Sequence, residues 1–189
     1  MSVFANFLIF QAGWFATVLG AANGAPWLGP IAVLVAVVLH LRTTNDAAAE
    51  LRLLGSAVAL GLVADSLLLA TGWIAYPNGS WVPGLAPYWI VTLWALFATT
   101  LNVSMRWMAG RYLLAALFGA IGGPLSYLAG ARLGAMTFVD TGSAVTALAI
   151  GWGLAMPLLM WLAARFEQRG RTQRPAFIKD SWREAKDNA

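Results

Sequence analysis

The charge that most constrains this chain is Asp65, which lies close to the middle of an otherwise uncharged run from Leu53 to Ala75. A helix over that run is about 34 Å long, which is enough to cross the apolar core of a bilayer. A carboxylate at that depth costs about 3 kcal/mol on insertion scales. The position therefore predicts that Asp65 faces the interior of a membrane bundle, where the protein uses or neutralises it.

The composition places the chain in lipid. Of the 189 residues, 60% are hydrophobic and 11% are charged, and the mean hydropathy is +0.70. A soluble domain carries about twice that share of charge. The chain has no cysteine and one histidine, His40, which excludes disulfides, thiolate metal sites and histidine-rich metal sites. No catalytic, metal or nucleotide motif is present, so we expect no catalytic residue and no cofactor, and the sequence favours a role other than enzyme.

Six apolar segments can be read along the chain. They predict an all-α membrane protein, a bundle of six transmembrane helices over residues 1–164, followed by a charged cytoplasmic tail over residues 165–189. The fifth segment contains Gly122-Gly123-Pro124, which predicts either a kinked helix or a discontinuous one. The predicted spans are approximately 3–22, 26–41, 53–75, 87–105, from 112 onward through the Gly-Gly-Pro site, and 141–164.

The basic residues predict the orientation of this bundle. With six spans, eleven of the 12 Lys and Arg residues fall on one side, in the segments 42–52, 106–111 and 165–189. Only Arg132 falls on the other side. The positive-inside rule then places both termini in the cytoplasm. The calculated pI near 10.0 reflects this distribution, so we expect no nucleic-acid partner.

Helical periodicity assigns faces to the predicted spans. Gly61, Asp65 and Gly72 share one face of the third span, where glycine permits close helix approach. On the first, fourth and fifth spans, small and polar residues also occupy one side, which predicts that bulky residues such as Trp89 and Trp94 mostly face acyl chains. The candidate residues for a substrate or proton pathway are Asp65, Thr99, Asn102, Ser126, Tyr127 and Arg132.

Each of these candidates also has a structural interpretation. Thr99 and Asn102 suit hydrogen bonds between helices. Asp65 has two interpretations of similar weight. In the first, a structural partner such as Asn102 or Tyr127 forms a hydrogen bond with the buried carboxylate. In the second, the carboxylate handles a proton, an ion or a polar substrate. Arg132 either pairs with Asp140 or binds an anionic group that enters from the outer side.

The chain also resembles a known family in several segments. They are Gly13-Trp14-Phe15, residues 24–30 (GAPWLGP), residues 64–66 (ADS), residues 94–102 (WALFATTLN) with Ser104, and residues 123–127 (GPLSY). Together they resemble a family of small polytopic inner-membrane proteins of Gram-negative bacteria, known as a domain of unknown function. The resemblance covers nearly all of residues 1–165. Genes of that family often lie beside genes for fatty-acid modification of the cyclopropane-synthase type, so the resemblance implies a lipid-related role.

Three functions follow from these observations. The favoured one is intramembrane binding or transport of a small or lipid-like substrate, with Asp65 as the key ionisable group. The alternative is a non-catalytic membrane partner of a lipid-modifying enzyme, docked through residues 165–189. An intramembrane enzyme is the weakest, because acid–base chemistry needs a second positioned group. The lipid bilayer is the expected environment, and the many glycines also permit a homo-oligomer.

Overall fold

The computed structural model describes residues 1–172, with side chains to residue 168. Within these residues the chain forms six α-helices, a single 3₁₀ turn at Arg106–Met108 and one short antiparallel strand pair. Most of the predicted tail at 165–189 lies outside the described residues, so its docking role stays a prediction. The helices are α1 (Val3–Ala22), α2 (Leu28–Thr43), α3 (Ala47–Ala70), α4 (Tyr88–Leu101), α5 (Tyr112–Arg132) and α6 (Thr141–Thr172).

Helix α3 begins and ends earlier than predicted. Its N-cap is Asp46, whose carboxylate Oδ1 accepts a hydrogen bond of 2.9 Å from the backbone N–H of Ala49, as a capping aspartate does. The helix ends at Ala70, because Gly72 turns the chain in the left-handed region at φ 72°. Gly72 therefore lies outside the helix and off the face of Asp65. Asp65 lies about 7.5 Å from the C-terminal end of α3, rather than at its centre.

Helix α4 departs from two predictions. It ends at Leu101, whereas the predicted span continued to residue 105, so Asn102 lies beyond the helix. Trp89 and Trp94 are buried, although bulky residues on this helix were predicted to face mainly lipid. The reason is position: α4 packs against α1, α2 and α3 and also contacts α6. A central helix with protein on most sides buries its large side chains whatever their pattern.

Helix α5 is continuous through Gly122-Gly123-Pro124, and the prediction of a discontinuous helix is wrong. Gly123 has a packing role instead. A Cβ atom at this position would overlap the indole ring of Trp152 on α6. Helices α5 and α6 form the most extensive helix pair of the bundle, as expected where small residues allow close backbone approach.

The two ends of the bundle are held differently. At one end, Ile74–Ala75 (β1) pairs with Thr137–Phe138 (β2), which ties the α3–α4 connection to the α5–α6 connection. At the other end, Arg106 meets Glu167 on α6 at 3.0 Å between Nη2 and Oε1. The α2–α3 connection and Met1 line a pocket at this same end, so successive helices alternate in direction.

The outer surface of the bundle is apolar. Leu113, Phe4 and Leu154 are 76%, 71% and 69% exposed. Four helical segments are long and apolar enough to cross a membrane, whereas α2 and α4 are shorter, at 16 and 14 residues. The protein is therefore a helical membrane bundle. The four long segments are Val3–Ala22, Ala47–Ala70, Tyr112–Arg132 and Thr141–Gln168.

Candidate functional site

Asp65 lies at the meeting point of three helices. Its side chain is buried, with 2% of its surface exposed. The indole Nε1–H of Trp94 on α4 donates a hydrogen bond of 2.7 Å to Oδ2. The hydroxyl of Tyr127 on α5 donates to Oδ1. Each carboxylate oxygen therefore has one donor, and the acid joins α3, α4 and α5. We call these three residues the Asp65 cluster.

The glycine spacing on α3 makes this arrangement possible. Gly61 lies one turn before Asp65, and a Cβ atom there would overlap the indole of Trp94. The same indole stacks on Trp152 of α6, with ring centroids 4.5 Å apart and planes 12° from parallel. Such offset aromatic pairs add about 1 kcal/mol beyond their buried area. The ring of Trp94 is thus held by packing on one side and by the carboxylate at its N–H.

The charge of Asp65 has no partner of opposite sign in the described part of the chain. Within residues 1–168, no Lys, Arg or His side chain forms an ion pair with it. Tyr76, in the α3–α4 connection, has a buried hydroxyl without a hydrogen-bond partner among these residues. Burial, and then the nearby Asp65 carboxylate, raise the pKa of Tyr76 well above its usual value. A buried acid without a cation is either satisfied by its hydrogen-bond donors, or it takes up a proton or a positively charged group.

Cavities reach the Asp65 cluster from two sides. Between α3 and α6 lies the α3–α6 groove, an apolar opening of ≈570 Å³ lined by Val63, Leu67, Ile150, Leu154, Asp65 and Tyr127, among others. On the other side of Trp94 and Tyr127 lies the aromatic chamber, a smaller cavity of ≈70 Å³ whose walls include Trp14, Trp89, Trp94, Tyr127 and Trp152.

A second opening adjoins the chamber. The α1–α5 cleft has a volume of ≈400 Å³ and runs between α1 and α5, with Phe118 and Gly122 among its lining residues. It shares Trp14, Ser126 and Trp152 with the chamber. The chamber and this cleft are therefore neighbours, and the Asp65 cluster lies between the chamber and the α3–α6 groove.

Comparison with known protein families assigns this sequence to one of them. The family described as "Protein of unknown function (DUF2878)" matches residues 3–158. The chain belongs to this family. Neither a curated protein nor a solved structure matches it. The DUF2878 match covers α1 to α5 and about half of α6, so the whole Asp65 cluster lies inside it. The expectation that the chain belongs to a domain-of-unknown-function family is confirmed.

The predicted site residues of this DUF2878 protein fall into two groups. Asp65 and Tyr127 are in contact, and Ser126 lines the chamber beside them. The hydroxyl Oγ of Ser126 accepts a hydrogen bond of 3.2 Å from Trp14 Nε1, which links α1 to α5. The remaining candidates, Thr99, Asn102 and Arg132, lie elsewhere, and none of them lines the chamber, the cleft or the α3–α6 groove.

The outlying candidates have local partners or positions instead. The hydroxyl of Thr99 donates to the carbonyl of Leu96 at 2.7 Å, within its own helix. Arg132 is the last residue of α5. Asp140 does not pair with it within the described residues; it accepts hydrogen bonds from the backbone N–H and the hydroxyl of Ser143 at 3.1 and 2.7 Å. Asp140 thus caps α6.

A second buried polar cluster in this DUF2878 chain escaped sequence reasoning. Glu50 lies on the first turn of α3, and the distance between its Oε2 and Nε2 of His40 is 3.0 Å. Its Oε1 accepts a hydrogen bond of 2.9 Å from Nδ2 of Asn102. His40 and Glu50 are 3% and 6% exposed. The signal was present: Glu50, Leu54, Ala57, Gly61 and Asp65 recur at helical spacing on one face. It was missed because Glu50 was assigned to a surface loop before the predicted span.

Trp94 was missed for a different reason. A tryptophan on an apolar helix reads as lipid-facing or buried with equal ease, and nothing in its sequence neighbourhood identifies its N–H as the partner of Asp65. Its buried position follows from the central place of α4 in this DUF2878 bundle, which depends on all the other helices.

Proposed function

We propose that the protein is an inner-membrane protein that crosses the bilayer six times, with both termini in the cytoplasm, and that it binds or transports a small or lipid-like substrate at the Asp65 cluster. The observation that carries the proposal is a buried carboxyl group without a cation among the described residues, placed between the aromatic chamber and the α3–α6 groove.

The openings define how such a substrate approaches. The surface around the α3–α6 groove is strongly apolar; Leu67 and Leu154, which line it, are 65% and 69% exposed. In a bilayer this surface meets acyl chains, so a hydrophobic molecule enters sideways from the membrane without crossing water. Its apolar part lies along this groove or along the α1–α5 cleft on the other side, and its polar end lies at the Asp65 cluster. The energetic reason for keeping an acid there is the interaction gained with that polar end.

The topology is supported by the shared end of the basic segments. The α2–α3 connection, Arg106 and Glu167 line one pocket, and the positive-inside rule assigns that end to the cytoplasm. The short helices α2 and α4 cross the membrane only if neighbouring protein satisfies the backbone at their ends, as bundles allow.

The orientation can be tested without altering any native cysteine, because the sequence contains none. Thr44→Cys, in the α2–α3 connection, and Ser80→Cys, in the α3–α4 connection, report on opposite ends of the bundle. We expect an impermeant thiol reagent applied to the outer side to label Ser80→Cys alone. Labelling of Thr44→Cys, or of both variants, contradicts the proposed orientation.

The substrate site is tested by native mass spectrometry of the full chain. The protein is extracted from bacterial membranes into mild detergent and stripped of loosely bound lipid. We expect wild-type protein to retain a bound amphipathic molecule and Asp65→Leu to lose it, because leucine removes the polar contact and keeps the branched shape of the side chain. Circular dichroism and a monodisperse elution profile check folding.

A matched control makes the result interpretable. Asp140→Asn alters a fully exposed carboxylate outside the helices of the cluster, and it should retain the bound molecule. Identical adducts in wild type and a folded Asp65→Leu would remove Asp65 from substrate binding.

A further inference from the structure

The walls of the aromatic chamber are unusual in composition. More than half of the lining side chains are aromatic, and no charged side chain lines the cavity within the described residues. Four of the aromatic residues are tryptophans, which offer the strongest binding surface for a cation over a ring face. The six that the inference uses are Trp14, Trp89, Trp94, Phe97, Tyr127 and Trp152.

Four of the hydrogen-bond donors on these walls are already engaged. The N–H of Trp94 donates to Asp65, that of Trp14 to Ser126, and that of Trp89 to the carbonyl of Asn78 at 3.0 Å. The Tyr127 hydroxyl also donates to Asp65. An anionic or carbonyl group in the chamber would therefore meet few available donors, whereas the electron-rich ring faces are a favourable surface for positive charge.

The nearest acid reinforces this preference. Asp65 lies behind Trp94 and Tyr127, which line the chamber and hydrogen-bond to it. Donation to a carboxylate draws electron density into the ring, so both rings attract a cation more strongly. The carboxylate itself also attracts a cation through a low-dielectric interior, where Coulomb interactions are larger than in water.

We propose that the aromatic chamber binds an organic ammonium group, whose apolar body lies in the adjoining α1–α5 cleft. The proposal rests on the proposed function and names the substrate class of that site: a lipophilic ammonium compound, either a free amine or the headgroup of an amine-bearing lipid. The ring faces contact the ammonium group and Asp65 balances its charge. This also explains why a buried carboxyl group lacks a protein cation in the described chain.

Two probes of nearly identical shape test this directly. Benzyltrimethylammonium and neopentylbenzene differ in having a charged nitrogen or a neutral carbon at the same position. Each is titrated into the detergent-solubilised full chain, with binding followed by tryptophan fluorescence and free concentrations corrected for uptake by micelles. We expect the cation to bind at least about tenfold more tightly than its neutral counterpart, the scale of a desolvated cation–π contact.

Two variants separate charge from shape. Asp65→Asn keeps the size of the side chain and its capacity for hydrogen bonds but removes the charge, and it should weaken binding of the cation by about tenfold while leaving the neutral probe unaffected. Glu50→Gln makes the same chemical change on the same helix, about 22 Å away along its axis, and should leave both probes unaffected. Circular dichroism confirms that both variants fold.

The outcomes are distinct. If the neutral probe binds as tightly as the cation, or if neither binds, the ammonium proposal is overturned. The proposed function still stands in that case if Asp65→Leu loses its co-purified molecule, and it falls with the ammonium proposal if that molecule is also unaffected.

The source of the ammonium group is settled by the bilayer used. In nanodiscs of phosphatidylethanolamine, a lipid source predicts that the headgroup competes with benzyltrimethylammonium. In nanodiscs of phosphatidylglycerol, which carries no amine, that competition is absent. Equal binding of the probe in both bilayers, tighter than that of the neutral probe, supports the proposal with a free amine as the source.

Discussion

Replacing Tyr127 by phenylalanine is the sharpest test of the Asp65 cluster. The change removes one hydroxyl and nothing else, and it leaves Oδ1 of a buried carboxyl group without its donor. Hydrogen bonds to charged groups contribute about 1.5–3 kcal/mol, and interhelical hydrogen bonds in membrane proteins contribute up to about 1.7 kcal/mol. We therefore expect Tyr127→Phe to lower the free energy of unfolding by about 1.5 kcal/mol.

Tyr76 supplies the matched control. It is also a tyrosine close to Asp65, but its buried hydroxyl has no hydrogen-bond partner among the described residues. Removing an unsatisfied buried hydroxyl is neutral or stabilising. Tyr76→Phe should therefore leave the free energy of unfolding unchanged or raise it. The two substitutions delete the same atom, so the difference between them isolates the contact with Asp65.

The assay is reversible unfolding of the full chain in mixed micelles of rising dodecyl sulfate content, followed by circular dichroism. A double-mutant cycle that combines Tyr127→Phe with Asp65→Leu measures the interaction energy between the two side chains. In that background the Tyr127 hydroxyl has lost its acceptor, so Tyr127→Phe should no longer destabilise the protein. If Tyr127→Phe and Tyr76→Phe agree within about 0.3 kcal/mol, the cluster contributes nothing to stability and the reasoning is refuted.

Other substitutions test separate parts of the account. Gly61→Ala should destabilise the bundle by about 1–3 kcal/mol in the same unfolding assay, because its Cβ atom overlaps the indole beneath it, whereas Gly55→Ala faces open space and should be neutral. Glu50→Ala should lower the free energy of unfolding by about 2–4 kcal/mol, because it leaves His40 and Asn102 without their partner. Arg106→Ala breaks an exposed ion pair and should lower it by less than about 1 kcal/mol. Equal losses in the two variants would contradict this prediction. The hydrogen bonds from Ser143 hold the pKa of Asp140 below its usual value. A lowered pKa in the folded state contributes stability that is present above the unfolded pKa and is lost as pH falls through the folded pKa. The protection factors of the amides in the first turn of α6, which are corrected for the pH dependence of intrinsic exchange, should therefore fall over that pH range, and Asp140→Ala should abolish the change.

Sequence reasoning was most reliable where a single residue carried a large energetic penalty. A carboxylate in an apolar run must turn inward, and Asp65 does so, with Tyr127 as one of its foreseen structural partners. Asn102, which was also foreseen as a partner, donates a hydrogen bond to Glu50 instead. Periodicity predicts the face on which a residue lies, but not which of the other helices covers that face.

The errors at helix ends have a common physical cause. An apolar run does not reveal where the helix within it stops, because the residues beyond the end are apolar as well. On α3 the glycine at position 72 and the aspartate cap at position 46 set the ends. Because the helix begins six residues earlier than predicted, Glu50 lies on its first turn and inside the bundle. That shift explains why the cluster of His40, Glu50 and Asn102 was not foreseen.

The account depends on Asp65 being the polar contact of a site inside a lipid-embedded bundle. A crystal structure of the full chain grown from a lipidic mesophase tests this most directly. The account predicts that Asp65 points toward Trp94 and Tyr127 and that non-protein density occupies the aromatic chamber or the α3–α6 groove and disappears in Asp65→Leu. A carboxylate turned toward acyl chains, or empty cavities on both sides of a well-ordered cluster, would contradict it.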